Sequence, residues 1–161
     1  REGFNNAFHI ITKDKEKIVQ VIAYCLMSTH IHLILKQLTE NGVSAYMSNI
    51  LNSYTRFFNT AHKRKGPLWE SRFQNVLVKS DEQLLHLTRY IHLNPVTARL
   101  VDKPEQWEFS SYKEYLFKGD NPICQFDNVL DIKKSSYSKF VNDQISYQRE
   151  LAQIKNLILD S

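Results

Sequence analysis

Three groups of residues in this 161-residue chain have types and spacings that could do chemistry. The first is the pair His30 and His32, set in Tyr24-Cys25-Leu26-Met27-Ser28-Thr29-His30-Ile31-His32-Leu33-Ile34-Leu35. On a β-strand, alternate side chains leave on opposite faces, so the two imidazoles would share one face about 7 Å apart. Both could lean onto one divalent cation, for which imidazole is a common ligand. Two ligands do not make a site, so a third must come from elsewhere. The second group, Tyr90 and Asn94, supplies a candidate. One helical turn apart, they can face the same place. The carboxamide oxygen of Asn94 suits Mg²⁺ or Mn²⁺, and His30, His32 and Asn94 would form a mixed set with positions left for water or substrate oxygens. The third group is basic and aromatic: Arg56, Lys63, Arg64, Lys65 and Arg72, with Trp69 and Phe73 among them. Cations neutralise phosphates and aromatic rings stack on unpaired bases, which favours single strands or hairpin ends. A solvated loop after a helix reads the same from that segment alone.

The elements that must position these groups follow from periodicity. Asn5 to about Lys17 reads as a short helix. Ile18 to Met27, rich in β-branched and aromatic residues, reads as a strand. Ser28-Thr29 turns the chain, and His30 to Lys36 returns antiparallel beside it. Its Ile31, Leu33 and Leu35 face should take a layer of helices, leaving the histidines on the other face. Thr39-Glu40-Asn41-Gly42 breaks the chain.

From Val43 the period becomes helical, with Val43, Tyr46, Met47, Ile50, Tyr54, Phe57, Phe58 and Ala61 on one stripe until Gly66-Pro67 stops it. Arg72 to Val78 reads as another strand. Ser80-Asp81-Glu82-Gln83 has the capping-box form, and the helix after it should bury Leu84, Leu87, Thr88 and Ile91. Asn94-Pro95 should close that helix and open a second, short one. His86, one turn before Tyr90, is a candidate helper or a surface histidine; His92 points elsewhere. Another helix should open at Ser110 or Ser111 and run through Leu116. Lys118 to Pro122 marks a boundary. It divides a domain over 1–119 from a helical C-terminal appendage over 120–161, which ends in a helix from Ile145 to Leu159.

Composition bounds the rest. The length suits one domain with a small appendage. A net charge of +4 permits nucleic-acid binding without demanding it. No apolar run approaches the ~20 residues of a membrane span, and no secretory signal is visible. Cys25 and Cys124 lack a CxxC or CxxH partner, which suits reduced thiols in a cytoplasmic protein better than zinc ligands.

The blocks YCLMSTHIHLIL, SYTRFFNTAHKRKGPLWESRF and TRYIHLNPVTARLV, followed by WEFSSYKEYL, occur in that order over about residues 18–117. In this arrangement the chain resembles the single-tyrosine HUH transposases, closest to the insertion-sequence-200-like group and its REP-associated relatives. The resemblance implies an α+β fold on a ferredoxin-like plan: a small antiparallel sheet, helices on one face, and a helical tail. It implies that His30 and His32 bind a divalent metal, Mg²⁺ or Mn²⁺, that Asn94 is the third ligand, and that Tyr90 is the nucleophile. The implied activity is cleavage and joining of single-stranded or hairpin DNA through a 5′-phosphotyrosine link. Many members are homodimers that pair the histidines of one subunit with the tyrosine of the other, and some relatives are monomers. The family usually begins with a strand and an Arg-Gly-Asn-like turn. Arg1-Glu2-Gly3-Phe4-Asn5 resembles a divergent remnant of that turn, and whether the family's preceding strand is missing or only lies before Arg1 is left open by the sequence. The competing class is a non-catalytic nucleic-acid-binding protein that keeps the fold; an unrelated RNA-binding sheet is a third.

Overall fold

The computed structural model describes residues 16–117, 122–131 and 133–159. The helix expected over Asn5 to Lys17 lies almost wholly outside them. Two strands, β1 (Val19–Leu26) and β2 (Ile31–Gln37), form an antiparallel hairpin. Ser28-Thr29 makes its turn, where the Met27 N–H donates to the His30 carbonyl at 2.9 Å, and the Leu38 N–H to Ile18 carbonyl bond closes its open end. Helices α1 (Gly42–Ala61), α2 (Asp81–Thr97), α3 (Tyr112–Leu116), α4 (Lys134–Asn142) and α5 (Ile145–Leu159) follow, with one 3₁₀ turn at Pro104–Gln106. The sequence reading of an α+β fold with a small antiparallel sheet and helices is therefore correct. No helix among the described residues is long and apolar enough to cross a membrane.

The chain divides into two compact units. One holds 1–20 and 37–73, the other 21–36 and 74–161. In the first, α1 starts where Asn41 takes a left-handed φ of 55°. Gly42 then passes so close to Ile18, just before β1, that a Cβ there would collide with the Ile18 carbonyl oxygen, so the break at this glycine is steric. The helix ends at Ala61, before Gly66-Pro67. Lys63 turns left-handed at φ 51°. The Arg64 N–H then reaches back to the Asn59 carbonyl and the Lys63 N–H to the Thr60 carbonyl, satisfying carbonyls that the helix leaves open. The apolar stripe expected on α1 is only partly covered. Met47 is buried, yet Tyr54 is 46% and Phe57 68% exposed.

In the second unit Ser80 caps α2 as read, but the Gln83 side chain reaches the residue before the cap and not the cap itself, so the reciprocal half of the expected capping box is displaced by one residue. The Ser80 hydroxyl accepts from the Gln83 N–H at 3.1 Å, while Gln83 Oε1 accepts from the Lys79 N–H at 2.7 Å. Leu84, Thr88 and Ile91 are buried as expected, and Leu87 is half-buried. The break expected at Asn94-Pro95 is absent: α2 continues through both residues to Thr97. Proline removes one backbone donor, but here it sits in the last turn, where Ala98 and Leu100 N–H groups close onto the Asn94 and Pro95 carbonyls. Arg99, with φ 57°, ends the run.

The strand expected over Arg72 to Val78 is also absent. The segment is irregular, with no ladder partner among the described residues, and Val76 and Leu77 are 81% and 76% exposed. β-Propensity describes a surface that fits a neighbouring strand, and none meets this one. The edge of β1 away from β2 is instead covered by residues 109–111. The Leu26 N–H donates to the Phe109 carbonyl and the Ser111 N–H to the Tyr24 carbonyl, around a bridge between Cys25 and Ser110.

The core of this unit joins Ile22, Ala23 and Cys25 of β1 and Ile34 of β2 to Leu84, Ile91 and Leu93 of α2. Tyr112 and Tyr115 of α3, Leu130, and Tyr137 and Val141 of α4 complete it. Residues past 120 thus contribute core side chains to the unit that carries α2. Both cysteines are buried free thiols. Burial pushes Cys25 up to about 11, so it is an inert core group rather than a ligand or nucleophile.

Candidate active site

The sequence reading separated the histidines from the helix layer, and the structure overturns that detail. Ile34 shares its strand face with His32 by alternation, and Ile34 is the buried residue of β2 at 8% exposure. Ile31, Leu33 and Leu35 are only half-buried. The helix layer therefore covers the histidine-bearing face, with Ile34 in the core and His32 nearer its margin. That placement brings α2 alongside the histidines.

His30 stands at the end of the turn, exposed, and His32 is half-buried on β2. Their ring centroids are 4.7 Å apart with the planes at 88°, closer than the spacing along an ideal strand. Tyr90, 47% exposed on α2, brings its ring centroid to 6.0 Å from that of His32, edge to face. One chain thus supplies both the histidine pair and the tyrosine. Asn94 lies one turn further along α2, half-buried, and its Nδ2 is buried without a hydrogen-bond partner among the described residues.

These residues fit a divalent cation on three counts. Burial first, and the neighbouring His30 second, lower the His32 pKa, so the ring stays neutral as a ligand must. His30 Nδ1 lies 3.0 Å from the Thr29 hydroxyl; with Nδ1–H donating there, Nε2 is bare for a metal. Finally, a half-turn of the Asn94 amide puts Oδ1 where the unpartnered Nδ2 now sits, offering a hard-cation ligand. No cluster of three His, Cys, Asp or Glu residues occurs among the described residues, so a site here needs the amide.

The other histidines of α2 do different work. His86 Nδ1 lies 2.8 Å from the Arg89 guanidinium, and its ring packs 5.6 Å from Phe140. His92 is fully buried, with Nδ1 at 2.7 Å from the Tyr137 hydroxyl and Nε2 at 2.8 Å from Ser111 Oγ. Ser111 Oγ in turn accepts from the Tyr24 N–H at 2.9 Å and reaches the Tyr24 carbonyl at 3.1 Å. An Nε2–H tautomer satisfies the whole chain: Tyr137 O–H to Nδ1, Nε2–H to Ser111, and Ser111 O–H to Tyr24. The network pins α2 to β1, α3 and α4, two residues from Tyr90. Sequence reasoning placed His92 away from Tyr90 but missed this role. The signal was its position four residues after Thr88 on the buried side.

The basic and aromatic residues all lie in the other unit. Arg56, Lys63, Lys65 and Arg72 are exposed and make no ion pair among the described residues. Arg64 fastens its own loop, donating to Asn59 Oδ1 at 3.1 Å and the Pro67 carbonyl at 2.9 Å. Trp69 is half-buried, with Nε1–H donating to the Leu51 carbonyl at 3.2 Å and its ring 5.9 Å from Tyr54.

The family model described as "Transposase IS200 like" matches residues 2–94. A protein of Haemophilus influenzae named "Putative REP-associated tyrosine transposase" is 31% identical over 104 residues, 58% of this chain and 58% of its own length. The "REP-associated tyrosine transposase" of Escherichia coli K12 is 22% identical over 122 residues, 76% of this chain and 72% of its own. The chain thus spans about three fifths of the length of the Haemophilus relative. No solved structure matches. With a family match over more than half of its length, the chain belongs to the IS200-like transposase family.

Proposed function

We propose that this protein cleaves and rejoins single-stranded DNA, with Tyr90 as nucleophile and His30, His32 and Asn94 as the holders of a divalent cation, Mg²⁺ or Mn²⁺. The observation that carries the reading is the 6.0 Å approach of the Tyr90 and His32 rings within one chain. Bound there, the cation would withdraw charge from the scissile phosphate. The Tyr90 oxygen attacks phosphorus as the bond to the 3′ oxygen breaks. The phenol gives up its proton, the departing oxygen takes one to become a 3′-hydroxyl, and a 5′-phosphotyrosine remains. One phosphoester replaces another, so rejoining by a 3′-hydroxyl needs no ATP. The network around His92 holds α2 at a fixed rotation, so that Tyr90 faces the histidines. In this reading one chain supplies both the histidines and the tyrosine, which supports a monomer as the cleaving unit. Arg56, Lys63, Lys65 and Arg72 hold the DNA backbone, with Arg64 shaping the loop and Trp69 bracing it.

The test is a covalent adduct with hairpin-containing single-stranded DNA in Mn²⁺ or Mg²⁺, mapped by mass spectrometry to the peptide holding Tyr90. Tyr90→Phe keeps the ring and should bind DNA without forming the adduct. An adduct formed at the normal rate by Tyr90→Phe refutes the assignment. Binding without any adduct in the unmodified protein would make it a non-catalytic DNA-binding relative.

A further inference from the structure

The second half of α1 presents aromatic surface that its own unit does not cover. Phe57 is 68% and Tyr54 46% exposed, with ring centroids 6.4 Å apart and planes tilted by 36°. Tyr54 is backed by Trp69 at 5.9 Å and Phe58 at 6.1 Å, so the outer rings stand on an aromatic base. Arg56, Phe57, Thr60 and Ala61 line a shallow, open depression beside them. The charged residues of α1 and the loop after it have one sign, between Glu40 and Glu70. From Asn41 through Trp69 the sequence contains no aspartate or glutamate, while Arg56, Lys63, Arg64 and Lys65 are all cationic. Arg56 makes no ion pair among the described residues.

An exposed apolar face beside Arg56 and the cations of the following loop is poorly suited to self-association, because a second copy would bring like charges together. It suits an anionic partner with flat apolar surfaces. Single-stranded nucleic acid is that partner, since every base has a π-face and every linkage a charge. We propose that Phe57 and Tyr54 form a platform on which unpaired bases of single-stranded DNA stack, with Arg56 holding the adjoining phosphate. This inference deepens the proposed function and rests on single-stranded DNA being the substrate. It moves base stacking away from Trp69, whose ring is half-buried and fixed to the Leu51 carbonyl.

Stacking and charge are separable by salt. Binding of a fluorescein-labelled oligothymidylate of about 20 nucleotides would be measured by anisotropy across a salt series. Phe57→Ala should weaken binding between about 5-fold and 150-fold and leave the slope of log K against log salt unchanged. Phe57→Leu, apolar but not aromatic, should stay weak, and Phe57→Trp should restore binding. Arg56→Ala should lower the slope by about 0.7. With 68% of Phe57 exposed, these variants should keep the fold, which circular dichroism would verify. Unchanged affinity in Phe57→Ala, or full rescue by leucine, overturns the platform. So does a change in sedimentation with affinity unchanged, which would assign the face to a second copy. The Tyr90 adduct assay keeps the two readings apart. Phe57-dependent binding without an adduct removes cleavage and keeps the platform, whereas an adduct with Phe57-independent binding does the reverse.

Discussion

Tyr137→Phe removes one oxygen from the middle of the second unit and tests whether the His92 network holds the tyrosine-bearing helix. The ring stays, so packing changes little, but the hydroxyl at 2.7 Å from His92 Nδ1 is lost. His92 is 0% and Tyr137 1% exposed, so water does not replace it. An orphaned buried acceptor costs about 1–3 kcal/mol. Urea unfolding followed by circular dichroism reads this directly. At a slope of roughly 2 kcal/mol per molar urea, the midpoint should fall by about 0.5–1.5 M. The sharper result comes from a cycle with His92→Leu. Once the imidazole is gone, Tyr137 no longer has a ring nitrogen to satisfy and keeps only the Thr88 side chain as a partner, so Tyr137→Phe should then cost less, by about 0.5–3 kcal/mol. Equal costs in both backgrounds would refute the hydrogen bond as the source of the stability. pH supplies a second signature. Burial lowers the folded-state pKa of His92 to about 3. An unfolded imidazole titrates near 6.5, so between those values the unfolded chain binds the additional proton. The contribution is complete above about pH 6.5 and is lost as pH falls toward about 3, by at most ~1.4 kcal/mol per pH unit. His92→Leu should remove that component of the acid sensitivity, and an unaltered pH profile would contradict it.

Three further outcomes are expected. His32→Ala should abolish metal-dependent adduct formation with the circular dichroism spectrum unchanged, and full cleavage by the unmodified protein in EDTA would exclude the metal. Replacing Lys63 and Lys65 together by alanine should lower the salt slope for single-stranded DNA by about 0.7 for each lost phosphate contact, roughly 1.4 in all; an unchanged slope would assign the pair to solvent. Gly42→Ala should destabilise by about 1–3 kcal/mol, because the new methyl meets the Ile18 carbonyl, and a neutral effect in thermal unfolding would contradict the close approach.

What the sequence shows and what it hides divide along the reach of the interactions. The hairpin turn, the helical stripes and the Ser80 cap depend on neighbours within about five residues, and their period or cap chemistry is written in the chain. The chemistry-bearing residues were visible for a similar reason. His-x-His and Tyr-x-x-x-Asn are local spacings, and the structure brings the first pair and Tyr90 together. One failure is local, since the break expected at Asn94-Pro95 gives way to a proline tolerated in the last turn, and the others involve a partner far away in sequence. Arg72 to Val78 has strand-like residues, but strand formation needs a ladder partner, which propensity does not supply. The hydrophobic alternation of β2 gave the wrong covered face, because both parities carry aliphatic residues and only tertiary packing selects Ile34. On α1, periodicity identified an apolar stripe, yet amphipathicity states only that a face avoids water, not what covers it. Phe57 remains exposed there, beside Arg56 on a stretch without a single acid. An unburied aromatic face on a cationic helix is therefore informative about a partner outside the chain. The same pattern that misleads about the core points toward the ligand.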